Sequence, residues 1–143
     1  MPELPEVETV RKGLEKLTKG FYIEDIAVSK ERTIASYGGS KEFVRQIQGK
    51  CIESWSRRGK YLIAKLINED IQKAGWLTVH LRMTGQFQIY NSEKNPCPHT
   101  RVRFWNKEGN ELRFVDIRNF GQMWWVSAEN YPERMIKGLK KLG

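Results

Sequence analysis

Apolar residues recur with helical spacing at the start of the chain. Val7, Val10, Leu14 and Leu17 follow one another at intervals of three or four residues, which predicts one apolar face of an amphipathic helix. Pro5 fits the first turn of this helix, where the missing N–H of proline leaves no hydrogen bond unmade. The pattern therefore predicts an N-terminal helix packed against a core.

A second, shorter helical stripe consists of Phe43, Val44 and Ile47. Ser40 precedes the stripe and is a residue type that caps helix N-termini, and Gly49 follows it and ends the segment. A second short helix is predicted here.

From residue 51 onward, apolar positions alternate with polar ones or form short runs separated by turn residues such as Gly75 and Gly85. The pattern adds seven strands to an earlier one near 21–28. They lie near 51–56, 60–67, 75–82, 86–90, 100–106, 111–116 and 122–126. Because short strands at regular spacing are typical of packed sheets, the predicted fold is α+β, a β-sandwich of about eight mostly antiparallel strands flanked by two helices.

Composition narrows the class of protein. The chain has 143 residues, 39% of them hydrophobic, which suffices for one domain with a core. Lysine and arginine number 25 against 17 aspartate and glutamate, and this excess favours a polyanionic partner. Cys51 and Cys97 have no metal-ligand spacing, so no metal site is expected in this chain. No apolar run approaches the ~20 residues of a membrane span, and a cytoplasmic, nucleoid-associated protein without membrane contact is expected.

The first residues combine an amine and a carboxylic acid. Removal of Met1 would make Pro2 a free secondary amine with a reference pKa of about 8, partly unprotonated near neutral pH. Such an amine can attack the C1 carbon of a sugar and hold it as an iminium, while Glu3 stands where a proton could be transferred. If Met1 is retained, the Pro2 nitrogen is an amide and this chemistry is excluded.

Three cations, Arg57, Arg58 and Lys60, surround Gly59 immediately before an apolar strand. Charges at a strand entrance suit a phosphate, although a solvated turn that marks a strand edge would look the same. Met83 lies at the end of another predicted strand. Periodicity places it in the core, but a flexible apolar side chain beside a turn can also act as a wedge between bases.

Two further segments carry cations near strand ends. His99, Arg101 and Arg103 follow a proline-rich turn and suit phosphate contact, with a charged strand face as the alternative. Arg118 and Phe120 lie on one side of an extended segment and could fill the space left by a flipped base. Simple packing of Phe120 beside an ion pair of Asp116 with Arg118 is the alternative.

The opening Met-Pro-Glu-Leu-Pro-Glu-Val-Glu-Thr closely resembles the start of formamidopyrimidine-DNA glycosylases, in which the processed N-terminal proline is the nucleophile. The strand-entry lysine, the His-Leu-Arg-Met-Thr-Gly stretch, the histidine after the proline-rich turn and the segment 116–121 resemble later family motifs in the same order. The resemblance implies catalytic roles for Pro2, Glu3 and Lys60 and DNA-binding roles for Met83, His99, Arg118 and Phe120. The chain departs from the family pattern at Arg101, Ile117 and Asn119, where histidine, proline and arginine are usual.

The resemblance implies a bifunctional glycosylase and abasic-site lyase that removes 8-oxoguanine and formamidopyrimidines from double-stranded DNA and nicks the strand by β,δ-elimination, acting as a monomer. Residues 1–130 would be the N-terminal catalytic domain and 131–143 the start of an interdomain linker. The helix-two-turn-helix module and the zinc finger of the family, with its one zinc ion, would be absent from this chain, so weak activity is expected. An endonuclease VIII-like enzyme for oxidised pyrimidines and a catalytically inactive DNA-binding module remain the alternatives.

Overall fold

Eight antiparallel strands form two four-stranded sheets, which confirms the predicted sandwich. The computed structural model of the chain describes residues 4–91 and 93–140, apart from the side chain of Lys140. The strands are β1 Asp25–Val28, β2 Cys51–Arg58, β3 Tyr61–Ile67, β4 Lys73–His80, β5 Gly85–Tyr90, β6 Thr100–Trp105, β7 Glu111–Asp116 and β8 Gln122–Val126. One sheet has the order β2-β3-β4-β8, and the other has the order β1-β6-β7-β5.

The helices lie on the periphery of this sandwich. They are α1 Leu4–Thr18, α2 Gly39–Ile47, α3 Pro132–Met135 and α4 Lys137–Lys140, with a 3-10 turn at Glu31–Thr33. Trp55 on β2 donates its indole N–H to the Thr18 hydroxyl over 2.8 Å, and its backbone N–H to Glu15 over 2.7 Å. These bonds hold α1 against β2.

The main core fills the space between the sheets. Ile52, Leu62, Leu77, Phe104 and Phe114 are fully buried there. These residues come from the alternating positions of both sheets, so the hydrophobic effect favours this register over one shifted by a residue. The core includes Val7 and Leu14 of α1, and Phe43 and Ile47 of α2.

Three local predictions were wrong, and a fourth was right only in part. Leu17 is 62% exposed, because the buried Thr18 occupies the inner position of the last turn of α1. Ser40 is not the N-cap of α2; that position is Gly38, with φ +88°, and Ser40 lies inside the first turn, where the Glu31 carboxylate accepts its N–H. Gly75 lies within β4, with φ +109°, where an added Cβ would lie 2.4 Å from the Trp125 ring. The strand predicted near 21–28 is regular only in β1.

A smaller core lies on the outer face of the β2-β3-β4-β8 sheet. This outer cluster consists of Tyr61, Ile63, Val126, Ile136 and Leu139. The last two residues belong to the segment that carries α3 and α4, so that segment packs on the sandwich through their side chains.

Candidate functional site

Four connections meet at one end of the sandwich, which we call the loop end. They are the β2–β3 turn at 59–60, the β4–β5 loop at 81–84, the turn at 98–99 before β6 and the β7–β8 loop at 117–121. The antiparallel register places them together, because Tyr61 pairs with His80, which pairs with Gln122. In the other sheet, Gly85 pairs with Asp116.

All predicted site residues that the structure describes lie at this loop end. Lys60, Met83, His99, Arg118 and Phe120 each lie on one of the four connections. The sheet topology thus brings together residues that lie up to 60 positions apart in the chain.

Pro2 and Glu3 lie outside the described residues. The helix that follows them, α1, begins at Leu4, and Glu6 in its first turn lines a cavity of about 410 Å³ together with Met83 and Thr84. The start of α1 therefore adjoins the loop end.

Asp116 joins three of the four connections through hydrogen bonds. Its carboxylate accepts the Thr84 hydroxyl at Oδ1 and the Gly121 N–H, over 2.7 Å, at Oδ2. Its backbone N–H donates to the His99 carbonyl over 2.9 Å. Thr84 in turn accepts the Arg118 N–H over 3.1 Å. The ion pair of Asp116 with Arg118 that simple packing would predict is not formed between these two side chains, since Thr84 and Gly121 occupy the carboxylate.

Met83 and Phe120 line a second cavity, of about 430 Å³, between the β4–β5 and β7–β8 loops. They are 45% and 42% exposed, and the Arg32 guanidinium lies 5.2 Å from the centre of the Phe120 ring. A cation over an aromatic face is attracted by the ring quadrupole. The contact holds the Phe120 side chain beside the cavity.

Asn119 stands between Arg118 and Phe120 in the left-handed backbone region, with φ +65°. Asparagine is one of the few residues other than glycine that adopts this conformation without large strain. The Asn119 backbone therefore provides the sharp bend that places Arg118 and Phe120 on the exposed side of the loop.

Lys60 is the cation of the 57–60 turn that forms no ion pair within the described part of the chain. Arg57 pairs with Glu8 over 3.0 Å and also donates to the Gly59 carbonyl. Arg58 lies 3.4 Å from the Glu133 carboxylate. Two of the three cations thus have carboxylate partners, and Lys60 retains an ammonium group that an external phosphate can bind.

The Glu8 carboxylate connects α1 to this turn. Its hydrogen bonds with Arg11, over 2.9 Å, and with Arg57 lower its pKa from 4.5 to about 2. Glu8 therefore stays ionised throughout the neutral range. The pair fixes α1 beside the Lys60 turn.

His80 is a buried, neutral imidazole beside Lys60. Burial, followed by the positive charges of Arg82 and Lys60, lowers the pKa of His80 from 6.5 to about 4. Its Nδ1 accepts the Arg82 backbone N–H over 3.0 Å, and the Tyr61 ring contacts it edge-on with centroids 4.5 Å apart. The imidazole fixes the start of the β4–β5 loop, where Arg82 has φ +56°.

The depressed pKa of His80 predicts a pH dependence of stability. Between about pH 6.5 and 4 the unfolded chain binds a proton at His80 and the folded chain does not, so stability falls as pH falls through this window, by about 2–3 kcal/mol. Urea titrations from pH 7 to 4 measure the loss. His80→Asn, which can retain an acceptor near the Nδ1 position, should reduce it.

Glu8→Gln is the matched control for this experiment. The pKa of Glu8 is lowered from 4.5 to about 2, so its contribution to stability is fully present above 4.5 and is lost progressively as the pH falls from 4.5 toward 2. Between pH 6.5 and 4.5, the Glu8→Gln variant should therefore lose as much stability as the wild type. An equal pH dependence of wild type and His80→Asn would contradict the assignment.

Among the described residues, no group of three or more His, Cys, Asp or Glu side chains could hold a metal ion. Within the same residues, no helix is long and apolar enough to cross a membrane.

Several contributors to the site were not found from the sequence. Arg32 lies in no motif, and the motifs that contain Glu6 and Thr84 assign them no role. Arg32 and Thr84 contact residues far away in the chain, Phe120 and Asp116. Asp116 lies inside the motif at 116–121. The feature of the sequence that could have indicated its role is Gly121, five positions later, whose N–H the Asp116 carboxylate accepts.

Comparisons with known proteins agree with this geometry. A family model described as the formamidopyrimidine-DNA glycosylase N-terminal domain matches residues 1–123. The formamidopyrimidine-DNA glycosylase of Prochlorococcus marinus (strain MIT 9211) is 58% identical over 147 residues, which cover 100% of this chain and 51% of the relative. The chain thus spans about half the length of the curated relatives it matches.

Solved structures show the same fold. The Lactococcus lactis Fpg in complex with DNA containing an abasic site has a TM-score of 0.83 and 31% identity, covering 98% of this chain and 48% of that chain. MutM in complex with DNA containing carbocyclic 8-oxo-G has a TM-score of 0.80 and 32% identity, and the match covers 90% of this chain and 45% of that chain.

Proposed function

Because the chain belongs to the formamidopyrimidine-DNA glycosylase family, we propose that it binds double-stranded DNA at the loop end, excises an oxidised purine and nicks the strand at the resulting abasic site. One observation carries this proposal: Lys60, Met83, His99, Arg118 and Phe120 converge on one end of the sandwich. A base cannot react inside a duplex, so the damaged nucleotide is flipped out for chemistry.

The reaction begins at the amine of Pro2. The amine attacks C1′, the bond between C1′ and the base breaks, and Glu3 protonates the ring oxygen as the deoxyribose opens to an iminium. Loss of a proton from C2′ then expels the 3′ phosphate, and a second elimination expels the 5′ phosphate. Lys60 holds a backbone phosphate and assists proton transfer during these steps.

The vacated space in the duplex is filled by side chains of two loops. Met83 and Phe120 are half-exposed beside one cavity and enter the stack as apolar wedges, and Arg118 pairs with the orphaned base. The Asp116 hydrogen bonds support this role, because they hold the two loops and the His99 turn in one geometry. His99 contacts the phosphate backbone.

The remaining parts of the proposal concern the whole protein. Residues 1–130 act as the N-terminal catalytic domain and 131–143 begin a linker to the half of the relatives that this chain does not span, where a zinc finger supplies further DNA contacts. The protein works as a monomer at the bacterial nucleoid. Since phosphate contacts contribute steeply to affinity, the 143-residue chain alone binds DNA weakly and with strong salt dependence.

Borohydride trapping tests the proposal directly. The purified chain, with its N-terminus checked by mass spectrometry, is incubated with duplexes that contain one abasic site, one 8-oxoguanine or one oxidised pyrimidine. An adduct with the abasic duplex that maps to Pro2 is expected, and 8-oxoguanine should react faster than the pyrimidine. Faster reaction of the pyrimidine would favour an endonuclease VIII-like enzyme. Duplex binding without any adduct from a chain that begins at Pro2 would contradict the catalytic proposal and leave a DNA-binding module.

A further inference from the structure

A cavity of about 370 Å³ lies beside His99, and the function proposed above does not use it. Residues 27–30 form one wall, and 96–98 with the first residues of β6 form the other. We call it the flank cavity. Lys30, Arg101 and Arg103 line it together with the exposed Cys97.

The charge of the flank cavity is positive. The only carboxylate paired with these cations in the described part of the chain is Glu111, 2.7 Å from Arg103, and Glu111 is shared with the buried Arg113. Glu31, next to Lys30, accepts the N–H and hydroxyl of Ser40 instead. Lys30 and Arg101 thus form no ion pair among the described residues.

Arg101 is buried, with 8% of its surface exposed. Its Nε donates to the Asp116 backbone carbonyl over 2.9 Å, and its two terminal nitrogens have no hydrogen-bond partner among the described residues. These two nitrogens are not among the fully buried polar atoms that lack a partner, so they remain accessible from the flank cavity, where an anion can accept their N–H groups. The flank cavity is wide enough to admit such an anion.

The flank cavity adjoins the loop end on two sides. Cys97 and Arg101 each stand two positions from His99, and Asp116, which accepts from Arg101, also binds the His99 carbonyl. Lys30 directly precedes the 3-10 turn whose Arg32 lies over Phe120. A duplex that reached His99 and Phe120 would pass the mouth of this cavity.

We propose that the flank cavity binds a phosphate group of the DNA backbone, next to the phosphate that His99 contacts, through Lys30 and Arg101. The inference rests on the DNA binding proposed above but not on its chemistry. Arg101 presents paired N–H donors that match two phosphate oxygens, and Lys30 adds a point charge at the exposed rim. The site extends the contact with DNA along the β1–β6 edge.

Salt dependence of binding tests this site. Affinity of the 143-residue chain for a duplex with an abasic-site analogue is measured by fluorescence anisotropy between 50 and 200 mM salt. Each lost phosphate contact reduces the slope of log affinity against log salt by about 0.9. Lys30→Gln and Arg101→Gln should each weaken binding, and the double variant should reduce the slope by about one.

Lys107→Gln is the matched control, because Lys107 is an exposed lysine beyond the opposite end of β6. It removes the same charge and should leave the slope unchanged. If wild type binds DNA but the double variant has the slope of the Lys107 variant, the flank cavity is not a DNA contact. If wild type does not bind DNA, this inference and the proposed function both fail.

Charged reagents at Cys97 provide a second test that does not depend on substituting Arg101. In a Cys51→Ala background, a sulfonate-bearing methanethiosulfonate places a negative charge in the flank cavity, and a trimethylammonium-bearing one places a positive charge there. The sulfonate should weaken DNA binding about tenfold, and the ammonium should not. Equal effects of the two reagents would overturn the proposal.

Competition with inorganic phosphate tests whether the flank cavity binds a phosphate of the DNA backbone or a free phosphate ion. If the site recognises DNA, millimolar phosphate should compete no better than an equal ionic strength of chloride. Specific protection of Cys97 by free phosphate, combined with an unchanged salt slope in the Lys30→Gln Arg101→Gln double variant, would assign the cavity to a small anion and overturn the DNA assignment.

Discussion

A chain that carries any residue in front of Pro2 is expected to give no borohydride-trapped adduct with abasic DNA, whereas a chain that begins at Pro2 gives one. The reason is electronic, since a preceding residue turns the Pro2 nitrogen into an amide whose lone pair is delocalised. The loss should reach at least ~10³-fold, because removing a nucleophile costs as much as removing a strong acid–base group or more. A Gly-Ser extension left by a cleaved fusion provides the blocked chain.

Binding provides the control for this experiment. The described residues that we propose to contact DNA lie at the loop end independently of the N-terminal amine, so the blocked chain should bind an abasic-site duplex with unchanged affinity and salt slope. A trapped adduct from the blocked chain would assign the nucleophile elsewhere, with the deprotonated side-chain amine of Lys60 as the first group to test by Lys60→Met.

Asp116→Ala is expected to lower both stability and DNA affinity. The substitution leaves the Gly121 N–H and the Thr84 hydroxyl without their acceptor in a buried site, and an unsatisfied buried group costs about 1–3 kcal/mol. We expect a loss of about 3 kcal/mol in the free energy of unfolding, measured in urea. Affinity for the abasic duplex should fall further, because Met83 and Phe120 lose their fixed separation.

Two further variants test whether the loss of DNA binding comes from altered loop geometry or from a general loss of stability. Thr84→Val preserves shape but removes the hydroxyl that joins Asp116 to the Arg118 N–H, so it should reduce wedge insertion with a smaller loss of stability. Insertion is followed by the fluorescence of 2-aminopurine placed beside the abasic site. Asp70→Ala, at an exposed aspartate in the β3–β4 turn, should change neither quantity. Wild-type fluorescence in Thr84→Val would contradict the proposed role of the Asp116 network.

The strands after residue 51 could be predicted within two residues at each end because their signals are local. Period-two alternation and turn residues such as Gly109, with φ +83°, depend only on neighbours in the chain. The errors arose where distant residues decide. Ser40 looks like a cap until Glu31 occupies its hydroxyl, and Gly75 looks like a turn until Trp125 is seen against it.

The candidate site shows the same difference between local signals, which the sequence carries, and contacts between distant residues, which it does not. The motifs identified Met83, His99, Arg118 and Phe120 one by one, as strand ends with unusual side chains. They could not show that Asp116 binds Thr84 across 32 positions or that Arg32 lies over Phe120, because those contacts depend on how two sheets close on each other. The catalytic roles of Pro2, Glu3 and Lys60 and the DNA-binding roles of Met83, His99, Arg118 and Phe120 came from the family resemblance and remain predictions.

The outer cluster has a mechanical consequence. The Tyr61 ring lies between His80 and Trp124, and its hydroxyl is so close to Gly138 that a Cβ there would lie 1.9 Å from the oxygen. Tyr61 directly follows Lys60, so α4 cannot tilt toward the sheet without displacing the residue that anchors the lysine. The position of α4 and the backbone next to Lys60 are therefore connected through the packing of one aromatic ring.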